Sequence, residues 1–171
     1  LIEAIRVETH GGSLRGIVQR LGGSYKVGQS VSELIRLESR LGLHNPETLK
    51  QFSKKIDALG SQLHKLIQGL KMNGKTIIGF GAPAKATTLM YHFGLGGKFL
   101  DYIIDDNPLK QGLFSPGFHI PVLPSSALYS TRPDYVLILA WNFAESIMNN
   151  HSEYSKLGGR FIIPLPTPQI I

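Results

Sequence analysis

The chain is 171 residues long, 42% hydrophobic and 18% charged, and its 18 Lys+Arg against 12 Asp+Glu leave a formal net charge of +6. Such a chain buries a proper core, which excludes a disordered protein, and without cysteine it has neither a disulfide framework nor a thiolate metal site. The basic residues are scattered rather than striped, so the surplus suits an anionic small molecule such as a nucleotide better than nucleic acid.

The first residues, Leu1-Ile2-Glu3-Ala4-Ile5-Arg6-Val7, lack an initiator Met and the basic head and long apolar centre of a signal peptide. They read as an amphipathic strand already under way, so a fragment of a longer polypeptide is expected, and with no signal peptide its location is expected to be cytoplasmic. Strand character around residues 4–7, a turn at Gly11-Gly12 and an apolar return over residues 14–21 predict a hairpin, followed by a linker around Gly22-Gly23-Ser24. Ser30 or Ser32 is placed to cap a short helix carrying Val31, Leu34, Ile35 and Leu41 inward.

Asn45-Pro46-Glu47 combines an N-cap residue, a first-turn proline and an early acid, three agreeing helix-start signals. Leu49, Phe52, Ile56, Leu59, Leu63, Leu66 and Leu70 then recur at helical spacing, predicting one long amphipathic helix that ends near Asn73-Gly74. From Lys75 the pattern becomes α/β. Strands are expected over residues 75–80, 99–104, 134–140 and 160–163, with helices over 84–93 and 143–157. Short connections predict a parallel sheet with its ligand at the carboxyl ends of the strands. No apolar stretch is long enough to span a bilayer, so no membrane partner is expected.

The most informative stretch joins the strand at residues 75–80 to the helix after it. Gly79 is read as the residue that lets the chain leave the strand, and Gly81 as the position where a ligand approaches the backbone. Ala82 continues the turn, Pro83 suits a first helical turn and Ala84 fills the third small position of a G-x-G-x-x-A pattern. Lys85 adds a cation beside the helix N-terminus.

Asp105 or Asp106 ends the next strand, where a dinucleotide-binding fold places a carboxylate on a ribose diol. Asp106-Asn107-Pro108 also has the composition of a plain turn. Lys110, Gln111 and Gly112 follow, then Ser115-Pro116-Gly117-Phe118-His119-Ile120-Pro121, a stiff connection able to close over a nucleotide. Trp141, the single tryptophan, offers a stacking plane or ordinary packing, and Asn142 suits a ligand or, more simply, the N-cap of the next helix. His10, before the Gly11-Gly12 turn, is of the residue type that serves as general base near neutral pH.

Together these residues resemble a known family. Thr9-His10-Gly11-Gly12-Ser13-Leu14-Arg15, Gly79-Phe80-Gly81-Ala82-Pro83-Ala84-Lys85, Asp106-Asn107-Pro108-Leu109-Lys110-Gln111-Gly112 and Pro116-Gly117-Phe118-His119-Ile120-Pro121 stand in one order with the segments at 132–142 and 158–164. They are similar to the carboxyl-terminal part of S-adenosylmethionine-dependent sugar C-methyltransferases, bacterial enzymes of branched deoxysugar biosynthesis. The resemblance implies a Rossmann-like three-layer domain over residues 29–171, preceded by residues 1–28 as the tail and linker of a central methyltransferase domain. It implies that S-adenosylmethionine binds that missing central domain and zinc a missing amino-terminal region, with no metal here. The partner is then a nucleotide sugar, dTDP-linked or similar, held by a monomer that contacts its preceding domain. His10 matches the family's histidine before the Gly-Gly-Ser turn and is the implied base, while Thr9 stands where some relatives carry an acid.

The leading expectation is therefore a nucleotide-sugar domain that binds but does not catalyse alone. Two alternatives stand beside it: a dinucleotide-binding oxidoreductase domain, and a noncatalytic module pairing through the long helical seam.

Overall fold

A computed structural model describes all residues 1–171. The chain divides into two compact units, Leu1–Lys55 and Ile56–Ile171.

In the first unit, strand β1 (Glu3–Val7) pairs antiparallel with β2 (Ser13–Ile17) in the register Glu3↔Ile17 to Val7↔Ser13. A 3-10 turn over Thr9–Gly11 joins them, with His10, Gly11 and Gly12 all at positive φ. Helix α1 (Gln29–Arg40) follows. Neither candidate serine caps it. Gly28 stands at the N-cap; the Ser30 hydroxyl instead accepts the Ala4 N–H at 3.2 Å, and Ser32 donates to the Gln29 carbonyl at 2.8 Å. Val31, Leu34 and Leu37 form the half-buried face, whereas Ile35 and Leu41 are exposed, contrary to their expected inward placement.

Helix α2 (Pro46–Met72) starts and stops where its signals predict, with the Asn45 side chain accepting the Glu47 N–H. Its two halves differ. Leu49 and Phe52 are exposed, while Leu63 and Ile67 are wholly buried in the second unit's core.

The second unit is an α/β domain of the expected class. Its sheet contains β3 (Ile77–Phe80), β4 (Ile103–Ile104), β5 (Val122–Leu123), β6 (Tyr135–Ile138), β7 (Arg160–Ile163) and β8 (Gln169–Ile170), in the order β5-β4-β3-β6-β7-β8. All neighbours are parallel except the last pair. Strand alternation divides the core in two. Ile77, Leu137, Leu139 and Ile162 face α2 and α3 (Ala84–Phe93). Ile78, Phe80, Val136, Ile138 and Phe161 face the layer of α4 (Ser126–Thr131), α5 (Ala144–Asn150) and α6 (Ser152–Lys156).

Two expectations about element limits are corrected here. The strand read over 99–104 pairs only near its end, because the Phe99 and Leu100 N–H groups turn back to the Gly96 carbonyl. The helix read over 143–157 is two short ones broken at His151, in a run of asparagine, histidine and serine with weak helix propensity. The connection at 115–121 is an ordered loop docked on α3, with Phe118 stacked on Tyr91 at 4.5 Å between ring centroids. No helix is long and apolar enough to cross a membrane.

Candidate functional site

From β3 the chain proceeds to β4 and β5 on one side, then returns to place β6 and β7 on the other. The point of reversal lies between β3 and β6, and the crevice outside their carboxyl ends is where open α/β sheets take ligands. The turn from Gly81 to Lys85 and the 3-10 turn Trp141–Phe143 flank this crevice.

The glycines act differently from their sequence reading. Gly79 does not release the chain: it lies within β3, where a Cβ would stand 2.8 Å from Leu139 Cδ1 and 3.0 Å from Ile103 Cγ1. Gly81 makes the exit, with φ +89, and its missing side chain accommodates Ala140, whose Cβ would be 2.7 Å away. The close approach is thus between two strands. Pro83 is the extended N-cap of α3 rather than its first helical residue. Ala84 is exposed, and the small residue that packs helix against sheet is Ala86, which is 2% exposed.

Lys85, in the first turn of α3, is half-buried and reaches across the crevice. Its ammonium donates to the Asn142 amide oxygen and lies 4.4 Å from the Trp141 ring centroid and 5.8 Å from that of Phe143. Burial pulls its pKa below the ordinary lysine value. Phe143, not Asn142, occupies the N-cap position of α5. Beside Lys85 and Trp141 opens an apolar cleft of about 390 Å³, walled by Leu89, Phe93 and Leu165. A second concavity of about 480 Å³, lined by Asp57, His64 and Lys65 among others, shares His92 and Phe93 with it but includes none of the strand-end turns.

Asp105 and Asp106 have separate fates. Asp106 is exposed. Asp105 is buried, and its carboxylate accepts the Ala82 N–H at 2.7 Å, the Asn107 N–H at 2.9 Å and the Lys110 ammonium at 3.0 Å. Burial alone would raise its pKa, but these donors outweigh it and hold the carboxyl below the ordinary value. The Asn107 side chain accepts the Leu109 N–H at 3.0 Å, so Asp106-Asn107-Pro108 does form a turn. The structure thus joins Lys85 with Trp141 and Asn142, and Ala82 with Asp105, Asn107 and Lys110. His10 belongs to the first unit, where it is exposed in the left-handed conformation at φ 56.

Sequence reasoning missed three participants. Gln111 donates to the Asp105 carbonyl at 2.9 Å, and Phe143 and Leu165 complete the apolar surroundings. Phe143 was legible as the aromatic following Trp141-Asn142; Leu165 carries no local signal.

The second unit is a doubly wound α/β domain with a cation and an aromatic plane at its switch point, the place where folds of this class take ligands. The chain belongs to the C-methyltransferase C-terminal domain family, whose model matches residues 8–166. It is 33% identical over 171 residues to the C-methyltransferase NovU of Streptomyces niveus, a match covering 100% of this chain and 41% of that relative.

Proposed function

We propose that the chain is the nucleotide-sugar-binding part of a C-methyltransferase acting on the carbon beside the ketone of a nucleotide-linked 4-keto-deoxysugar. The observation that carries this reading is the furnishing of the switch point. A half-buried ammonium stands over an aromatic ring beside an apolar cleft, while the neighbouring carboxylate is turned inward. A cation supplies counter-charge for phosphate, and the aromatic and apolar wall supply a face for a base. The dinucleotide alternative would set an adenosine ribose on Asp105 or Asp106. Of those two carboxylates, Asp105 is already engaged by Ala82, Asn107 and Lys110, which leaves only the exposed Asp106 for a ribose diol. With Asp105 so engaged we favour the nucleotide-sugar reading over the oxidoreductase alternative, and S-adenosylmethionine and any zinc are proposed to bind parts of the whole protein outside this chain.

In the whole protein the methyl donor supplies an electrophilic methyl group, and His10 is the proposed general base. His10 would take the proton from the carbon α to the ketone, the electron pair of that C–H bond would pass into an enolate, and the enolate carbon would bond the methyl group as the donor's C–S bond breaks and leaves its pair on sulfur. The isolated chain is proposed to be a cytoplasmic monomer that binds nucleotide sugar and transfers no methyl group.

Calorimetric titration of the chain with dTDP, NAD and S-adenosylmethionine tests this. Binding of dTDP alone is the expected result. Binding of NAD or S-adenosylmethionine at the strand ends, or silence with all three, overturns the assignment of this chain as a nucleotide-sugar-binding unit.

A further inference from the structure

Asp105 and Ser115 are the buried polar residues of the chain, and Asp105 is the one that joins two loops at the strand ends. One of its oxygens holds both the Ala82 N–H and the Lys110 ammonium, and the other holds the Asn107 N–H. Its carbonyl is held by Gln111. Ala82 is thus fastened to the loop after β4, although it belongs to the turn after β3.

Ala82 is also three residues from Lys85. Between them Pro83 is extended at φ −76, ψ 162, and Ala84 opens α3. A proline ring fixes φ, so this connection has little freedom to absorb a displacement of Ala82. A displacement passes into the first turn of α3, and so to the ammonium over Trp141. The contacts run in one line from Lys110 and Asn107 through Asp105, Ala82 and Pro83 to Lys85, and from Lys85 to Asn142 and Trp141.

We propose that Asp105 is a positioning residue: by tying the glycine turn to the loop after β4, it holds Lys85 against Trp141 in the place where an anionic ligand group is received. The nature of that group rests on the nucleotide-sugar reading above; the positioning does not. The consequence for recognition is specific. The Ala82 N–H is committed to Asp105, so the ligand's charge is met by the Lys85 side chain rather than by the amide of Ala82.

Trp141 is the only tryptophan, so intrinsic emission reports its surroundings alone. Lys85→Met supplies the spectrum of the indole without its ammonium neighbour. Asp105→Ala, measured where its circular dichroism matches the unsubstituted chain, is expected to move the emission toward that of Lys85→Met and to weaken dTDP binding about tenfold. If Asp105→Ala does not fold, Asp105→Asn serves, since one amide oxygen cannot replace a carboxylate that accepts from three donors. Unchanged emission in the folded Asp105 variant, beside a shifted Lys85→Met spectrum, overturns the positioning role whatever the chain binds. Shifted emission with undiminished dTDP affinity overturns its role in ligand binding. Shifted emission in a chain that never bound dTDP upholds the positioning and overturns the nucleotide reading instead.

Discussion

The ammonium of Lys85 lies 4.4 Å from the ring centroid of Trp141, although the two residues are 56 positions apart in sequence. The contact bridges the two sides of the topological switch. Lys85→Ala removes the cation while leaving the half-buried position free of any new polar group. Nucleotide diphosphate affinity is expected to fall at least tenfold, consistent with loss of a charged hydrogen bond of about 1.5–3 kcal/mol. The chain should still fold, with a stability loss of about 1 kcal/mol for the hydrogen bond to Asn142. Because burial lowers the Lys85 pKa, affinity in the unsubstituted chain should decline with rising pH before the ordinary lysine range is reached. Calorimetry against pH on both chains checks this.

At the opposite ends of the same strands, Asp134 ties the start of β6 to the start of β3. The Thr76 N–H and hydroxyl both donate to one carboxylate oxygen at 2.8 Å, and Lys75 donates to the other at 3.0 Å. The Thr76 N–H leads these effects, which depress the Asp134 pKa to about 2 from 3.8. A carboxyl depressed on folding adds stability above its unfolded pKa and loses it as pH falls through the folded one. Asp134→Asn is therefore expected to cost about 1 kcal/mol near pH 6, a figure reduced for the exposure of the group to solvent. The difference should shrink as pH falls below 4 and through the folded pKa of about 2, vanishing only below it. Urea unfolding across that range measures it.

The elements with strong periodicity or start signals were the legible ones. The limits of α2, α3 and β7 agree closely with their sequence readings because caps and apolar spacing act locally. Strands β5 and β8 are two residues each, too short for any period, and exist because a neighbouring strand supplies their partners. The turn at Gly81 was visible as a motif, but its cause was not: Ala140 is 59 positions away, and only the sheet order brings them together. For the same reason the sequence left open whether Asp105 or Asp106 takes a ribose diol or only a turn is made there, and did not show what holds Asp105. Its identity and strand-end position were evident, whereas the Ala82 N–H and Lys110 that occupy it depend on how two loops fold back.

Gly81 and Ala140 give a test of that packing. Gly81→Ala meets two obstacles, the positive φ of +89 and a Cβ 2.7 Å from that of Ala140. The expected cost is about 2–4 kcal/mol, combining left-handed strain with overpacking. Ala140→Gly in the same chain should recover the steric part and leave about 1–2 kcal/mol of backbone strain. Equilibrium unfolding of the single and double variants separates the two. Equal losses in both would mean that Ala140 is not the obstacle.

Helix α2 makes the last prediction, because its single apolar seam serves two environments. Ile67 is 0% exposed and packs in the core, whereas Phe52, on the same helix, is 62% exposed. Ile67→Ala should cost about 2–5 kcal/mol through lost burial and the cavity left behind. Phe52→Ser should stay within about 0.5 kcal/mol. A module that paired through the whole seam would behave otherwise, since Phe52 would then be buried between chains and its loss would lower the sedimenting mass. With Leu63 and Ile67 already committed to the domain's own core, the mass should be that of a monomer before and after Phe52→Ser. Sedimentation velocity on the two variants and the unsubstituted chain, alongside urea unfolding, distinguishes a helix anchored in its own domain from one that holds two chains together.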